Sequence, residues 1–240
     1  MIDLLKADFY RLRRWGFFYL WVLLMAGADL FWEAVRRIVL KEKTTFLKLM
    51  ISGTEQKILF VAVGILISLY LYQERESGFL RQTQPLYPKW KQIAEKMLFG
   101  ALLSVFAEAL CFGEHFAKVV YFHMTWDSMA LIETEAFFIA DVFVCTAFVG
   151  VSVCAMEWFH SVWGSAVVTV IFVWGLPGYV LFQKMLEVVG REQILQYGMR
   201  STFLNFCQEI SEGNFLRMIA ISCVWIVGFG GFALLGRMRR

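Results

Sequence analysis

Six long apolar stretches, separated by clusters of charged residues, constrain what this chain can fold into. They cover residues 15–32, 57–73, 97–112, 136–156, 162–182 and 215–235. Crossing the hydrocarbon core of a bilayer, about 30 Å thick, takes about 20 helical residues. Because 59% of the 240 residues are hydrophobic, a single water-soluble core could not bury them all. The pattern predicts an all-α integral membrane protein with about six transmembrane helices in one domain, residues 1–240.

The residues before the first apolar stretch predict a helix that lies along the membrane surface. Four apolar residues recur there at helical spacing: Ile2, Leu5, Phe9 and Leu12. Four basic residues surround them: Lys6, Arg11, Arg13 and Arg14. One apolar face beside basic residues is typical of an amphipathic interfacial helix. An ordinary basic flank is the alternative interpretation.

The orientation of the spans does not follow from the number of basic residues. An even number of spans places both termini on one side of the membrane. With the N-terminus inside, twelve of the 23 Lys and Arg residues lie inside and eleven outside. The cations at both termini lie close to their spans, which favours termini in the cytoplasm of a cell-membrane protein.

Two further features concern the second half of the chain. Pro177, with Gly175 and Gly178 beside it, is expected to bend or end the fifth span. Residues 183–214 are too polar to cross a bilayer and hold charges at partly helical spacing. This region is expected to form outer helices.

The segment between the second and third spans, residues 74–96, carries the main functional signal. It reads ERESGFLRQTQPLYPKWKQIAEK. An acidic cluster ends the second span, Gly78 permits a backbone turn, and Pro85 and Pro88 end a short stretch of mixed polarity. The order predicts a helical element along the cytoplasmic surface that presents side chains to a soluble partner. The alternative is a solvated charged loop.

This segment resembles the first cytoplasmic loop of ABC-2 type ABC transporter permeases. The shared features are Glu-Arg-Glu-Ser-Gly, an apolar pair, a proline turn, an aromatic residue with a basic neighbour, and a lysine where the next span begins. In the rest of the chain the agreement is limited to the order of its elements: a basic amphipathic N-terminus, six spans, a short turn after the fourth span, a longer outer segment before the sixth span and a basic C-terminal tail. Phe79 replaces a small hydroxylated residue of the family, and Pro88 lengthens the spacing from proline to aromatic residue by one.

The resemblance implies that this loop forms a coupling helix that docks on an ABC ATPase. The residues that would then couple to the ATPase are Glu74, Arg75, Glu76, Ser77, Gly78, Phe79, Leu80, Pro85, Trp90 and Lys96. It also implies a second permease copy or a sister permease as a partner. ATP and Mg would bind the partner ATPase, and the cargo would be an antimicrobial peptide or a hydrophobic compound, in export or bacteriocin immunity.

The sequence favours a transport role over other classes of function. It contains no G-x-x-x-x-G-K-[ST] loop, and its three histidines lack the spacing of metal ligands. No catalytic residue, metal site or bound cofactor is therefore expected in this chain, and we do not expect it to be an enzyme. Its net charge of +3, with no basic block interleaved with aromatic residues, argues against nucleic acid and for membrane lipids as a partner.

Three acidic residues interrupt the apolar stretches: Asp29, Glu108 and Asp141. An ionised carboxylate at mid-membrane costs on the order of 3 kcal/mol, so each should face protein or water. They could form a polar patch on a transport pathway or simply join helices by hydrogen bonds. These acids also support an alternative function, an ion-gradient-driven secondary transporter.

Overall fold

The computed structural model describes residues 2–35, 53–78, 86–121, 130–174 and 199–239. Within these ranges the chain is helical, and no strand occurs among them. The described helices are α1 (Ile2–Arg14), α2 (Gly16–Val35), α3 (Gly53–Glu76), α4 (Lys89–Tyr121), α5 (Ala130–Phe159), α6 (Val162–Trp174), α7 (Met199–Gln208) and α8 (Glu212–Met238). The prediction of an all-α protein is confirmed for the described part of the chain.

Four of the described helices are long and apolar enough to cross a membrane. Their apolar parts are Ile58–Glu76, Lys89–Lys118, Glu133–Phe159 and Glu212–Met238. They contain the second, third, fourth and sixth predicted spans. The third begins earlier than predicted, because the helix continues without a break from Lys89 into the apolar stretch.

The first and fifth predicted spans are described only in part. The apolar portion of α2 covers Gly16–Gly27, which is short for a crossing. The fifth predicted span begins with α6, and residues 175–182, with the proline and glycines expected to bend it, lie outside the described residues. Among its described residues the structure therefore shows four candidate spans, where the whole sequence predicts six.

Helix α5 occupies the centre of the bundle. It packs against α3, α4, α6 and α8, as expected of a helix that is apolar on all sides. Phe148 of α5 stacks on Phe60 of α3, with ring centroids 5.5 Å apart. Phe137 stacks on Phe206 of α7 at 5.9 Å. Helix α7 lies within the region predicted to form outer helices, and residues 183–198 of that region lie outside the described residues.

A cluster of buried hydroxyl groups joins α3, α5 and α6. The hydroxyl oxygens of Ser68 and Ser165 are 2.8 Å apart, and those of Ser152 and Thr169 are 2.7 Å apart. A Cβ atom on Gly64 would lie 2.6 Å from the Thr169 methyl carbon, so these helices approach at a distance that only glycine permits. Interhelical hydroxyl bonds and small residues are typical of helix packing in membranes.

Helix α1 packs on the bundle through one face and leaves the other exposed. Leu4, Asp8 and Leu12 are buried, whereas Ile2 and Phe9 are exposed. The Phe9 ring contacts Phe99 of α4 edge to face, with centroids 5.4 Å apart. Ile2, Leu5, Phe9 and Leu12 were predicted to face the membrane. Leu12 instead faces protein. The buried acid Asp8 on this helix was not expected.

Candidate functional site

Charged residues from five helices meet at one end of the bundle, which we call the ionic end. The C-terminal ends of α3, α5 and α8 lie there with the N-terminal end of α4 and with α1. The ionic end contains four cations and four acids in contact with one another: Arg11, Arg75, Lys96, Arg237, Asp8, Glu74, Glu95 and Glu157. We call these eight residues the buried network, although Arg11 is partly exposed.

Lys96 forms the centre of the first part of the buried network. Its Nζ lies 2.7 Å from Asp8 Oδ2, 2.8 Å from Glu74 Oε1 and 3.0 Å from Glu95 Oε2. The Lys96 side chain is almost entirely buried. An ammonium group has three donors, so each of its hydrogens can be directed at one carboxylate. One lysine of α4 thus joins α1, α3 and α4.

Asp8 receives further contacts that keep it charged. Tyr70 donates a hydrogen bond to Asp8 Oδ1 at 2.8 Å, and the Arg11 guanidinium forms an ion pair with the same oxygen. Burial raises the pKa of Asp8, but a hydrogen bond donated by the neutral Glu95 carboxyl group and the charges of Lys96 and Arg11 outweigh burial and lower the pKa below its ordinary value. Asp8 is therefore a carboxylate held ionised inside the protein.

The second part of the buried network joins α3, α5 and α8 through Glu157. Arg75 Nη2 lies 3.0 Å from Glu157 Oε1, and Arg237 Nη1 lies 3.5 Å from the same oxygen. Arg75 also donates to the carbonyl oxygen of Met156 at 2.8 Å. Arg237 donates to Gln92 Oε1 at 2.5 Å, which brings in the first turn of α4. Because Arg75 follows Glu74 on α3, the two parts are continuous.

The predicted ATPase-coupling residues divide into three groups. Glu74, Arg75 and Lys96 belong to the buried network. Glu76 and Ser77 are exposed, Trp90 is 55% exposed, and Gly78 has a φ of 73°, in the region that favours glycine. Phe79, Leu80 and Pro85 lie outside the described residues, as does the short helical element expected there. The described part of the segment thus has both an anchor and an exposed surface.

Five members of the buried network were not singled out from the sequence: Asp8, Arg11, Glu95, Glu157 and Arg237. Tyr70, which contacts them, was also missed. The sequence did contain one signal for these residues. Each lies within about two helical turns of the end of a predicted span. Because successive spans alternate in direction, these span ends lie on the same side of the membrane. A basic residue beside a span is normally interpreted as a flank that faces lipid headgroups. That interpretation gives no reason to expect an acidic partner inside the protein.

The structure also brings together two of the three predicted intramembrane acids. Glu108 of α4 and Asp141 of α5 are both buried, and their carboxyl groups lie next to each other. Two ionised carboxylates this close would repel each other, so we expect the pair to hold one proton. Glu108 Oε1 and Asp141 Oδ1 have no hydrogen-bond partner, and no ion pair joins either acid to a cation among the described residues. The third acid, Asp29, lies in α2.

No group of three or more His, Cys, Asp or Glu residues suited to a metal ion occurs among the described residues.

Comparison with known proteins provides no family for this chain. No protein-family model and no curated protein matches it. Any function therefore has to be argued from the residues and their arrangement.

Proposed function

We propose that this chain is the permease subunit of an ATP-driven exporter of the ABC-2 type, coupled to a separate ATPase through residues 74–96. One observation carries the proposal. Both flanks of this segment are anchored in the buried network, through Glu74 and Arg75 before the turn and Lys96 after it. Glu76, Ser77 and Trp90 remain exposed between the anchors.

This arrangement suits a mechanical coupling element. A partner that contacts the exposed residues moves a segment that is ion-paired to α1 and α5. The same segment is joined to α8 by the hydrogen bond from Arg237 to Gln92. Displacing one anchored end would break buried ion pairs, which is costly because each ion would lose its partner in a low dielectric. The anchored helices would therefore move together with the segment.

The remaining parts of the proposal follow from the family resemblance. Residues 74–96 face the cytoplasm, which places the ionic end and both termini there, in a multi-pass protein of the cell membrane. ATP and Mg bind the ATPase subunit, and a second permease copy or a sister permease completes the pathway. The cargo is an antimicrobial peptide or another hydrophobic compound, and one physiological role is self-protection against a bacteriocin.

Co-purification with an ABC ATPase encoded beside this chain tests the proposal. The tagged permease should retain the ATPase, and a Glu76→Lys, Trp90→Ala variant should lose it while still inserting into the membrane. Trp163→Ala is the matched control, because Trp163 on α6 is 82% exposed but lies outside the segment. If the wild-type permease retains no ATPase, the proposal is wrong.

The contact between Glu108 and Asp141 favours the second candidate, a secondary transporter driven by an ion gradient. A buried carboxyl pair that holds one proton is the type of group that proton relays use. The test is proton flux into proteoliposomes that contain the purified chain without ATP or an ATPase. Flux that Glu108→Gln abolishes would favour this candidate over the permease, and absence of flux would count against it.

A further inference from the structure

The buried network changes which charges of the ionic end remain available to a partner. Its four cations face four acids, so the network as a whole adds no net negative charge to this end. Six other described cations lie at this end: Lys6, Arg13, Arg14, Lys89, Lys91 and Arg239. None has a carboxylate within ion-pair distance among the described residues. Of the described acids at this end, only Asp3 and Glu76 remain outside the network.

Aromatic side chains accompany three of these cations. The Arg14 guanidinium lies 4.5 Å from the centre of the Tyr10 ring, and that of Arg239 lies 4.6 Å from the Trp158 ring. Lys91 Nζ lies 5.5 Å from the ring centre of Trp90. Each of these rings is on an exposed side chain. We call the six cations together with Tyr10 and Trp158 the basic rim. Trp90 is not included, because the proposed function assigns it to the ATPase partner.

We propose that the basic rim binds the headgroups of anionic phospholipids, so that this end of the bundle is seated on a negatively charged leaflet. Tryptophan and tyrosine prefer the boundary between hydrocarbon and water because their rings are apolar at one end and polar at the other. Lysine and arginine beside them meet phosphate groups at the same depth. The rim combines both chemistries at one end of helices long enough to span a bilayer.

The distribution of the cations favours a lipid surface over a small soluble anion. Lys6, Arg13 and Arg14 are on α1, Lys89 and Lys91 begin α4, and Arg239 follows α8. They are exposed or half-buried and do not converge on one buried site, as they would in a pocket for one phosphate. A leaflet offers many headgroups at one level, so separated cations can each contact one. The exposed Ile2 and Phe9 of α1 add apolar anchors beside them.

Thermal unfolding of the full chain in neutral detergent micelles tests the proposal. Added phosphatidylglycerol should raise the unfolding temperature by about 2–4 °C, whereas phosphatidylcholine should not. High salt should remove the effect, because exposed charges are screened beyond about 3 Å at 1 M salt. A variant with Arg13, Arg14, Lys89 and Lys91 all changed to Gln should lose the shift.

A variant with the same charge change elsewhere is the matched control. It carries Arg36→Gln, Arg37→Gln, Lys41→Gln and Lys43→Gln, beyond the other end of the first predicted span, and should retain the phosphatidylglycerol shift. The proposal is overturned if wild type shows no lipid-specific shift, if the rim variant keeps it, or if inorganic phosphate reproduces it. If the rim variant does not fold, the wild-type titration with both lipids and phosphate still decides.

Discussion

The buried ammonium group of Lys96 contacts three carboxyl groups. One belongs to its sequence neighbour Glu95, and the other two belong to Asp8 and Glu74. Asp8 lies 88 residues before Lys96, and the Nζ to Oδ2 distance is 2.7 Å. Buried ion pairs contribute little net stability compared with apolar residues of the same shape, but removing one partner leaves charges uncompensated. The side chain is therefore hard to replace, whatever it contributes to function.

Replacing Lys96 by Met should strongly destabilise the protein. Asp8, Glu74 and Glu95 would remain buried without their shared cation, and we expect a loss of about 3–5 kcal/mol in the free energy of unfolding. Unfolding in detergent, followed by helical circular dichroism, measures the change. Lys89→Met is the matched control, since Lys89 is exposed on the same helix and should change stability by less than about 0.5 kcal/mol. Equal effects of both substitutions would contradict the buried network.

Gly64 should not tolerate even a methyl group. A Cβ there would lie 2.6 Å from the Thr169 methyl carbon and 2.7 Å from the Ser152 hydroxyl oxygen. Gly64→Ala should cost about 1–3 kcal/mol through overpacking, as measured by unfolding in detergent. Gly228→Ala on α8 is the control, because nothing lies within 4 Å of its Cβ position. A neutral Gly64→Ala would show that α3 and α6 do not approach as described.

At the scale of elements, α1 is joined to the transmembrane bundle by the buried Leu4 and Leu12, by the ion pair of Arg11 with Glu74 and by Asp8. The carboxylate contacts Tyr70 of α3 and Lys96 of α4, while Ile2 and Phe9 on the same helix are exposed. Asp8 is the buried acid among these contacts. The charge of this one side chain should therefore contribute to how firmly α1 is held on the bundle.

Acid should remove the contribution of Asp8. Its pKa is lowered in the folded protein, so its stabilisation is present above the ordinary value of 3.8 and is lost as the pH falls through the folded value. Wild type should be more stable than Asp8→Asn at pH 7, and the difference should shrink below about pH 4 as Asp8 is protonated. Thermal unfolding of both proteins across this pH range measures it. A difference that stays constant with pH would contradict an ionised Asp8.

At the scale of the whole molecule, the residues that would bind the ATPase differ from those that would pass its movement on to the helices. Trp90 and Glu76 are exposed, whereas Arg75 points inward to Glu157 and to the carbonyl oxygen of Met156. If the chain is an ABC permease, substitutions in these two groups should therefore fail in different ways.

Arg75→Gln should leave the ATPase bound but uncoupled. The variant keeps the exposed docking residues and loses the ion pair that joins α3 to α5. We expect it to retain the ATPase on co-purification, and the influence of the permease on the rate of ATP hydrolysis to be lost. Trp90→Ala should instead weaken ATPase binding by about tenfold, or about 1.4 kcal/mol. If Arg75→Gln loses the ATPase as readily as Trp90→Ala does, Arg75 docks directly and the proposed division is wrong.

The sequence alone was sufficient for the class of protein and for most helix positions. Long apolar stretches have no stable place in water, and in a bilayer the backbone must form its hydrogen bonds internally. Local composition therefore predicts helices, although some helices continue past the first charged residues, as α4 does from Lys89 through Lys96. It also marked residues 74–96, since the acidic cluster, Gly78 and the prolines are all local signals.

Contacts between helices could be decided only by the tertiary structure. The spacing of Glu108 and Asp141 in the sequence does not predict that they meet, and Asp8 and Lys96 lie 88 residues apart. Their meeting depends on how each helix is rotated and shifted against its neighbours, which is set by side-chain packing, as where Gly100 of α4 lies against Val149 of α5. For the same reason the near-equal count of basic residues was uninformative. Counting cannot separate cations held in buried ion pairs from those left exposed, because that division is made by packing.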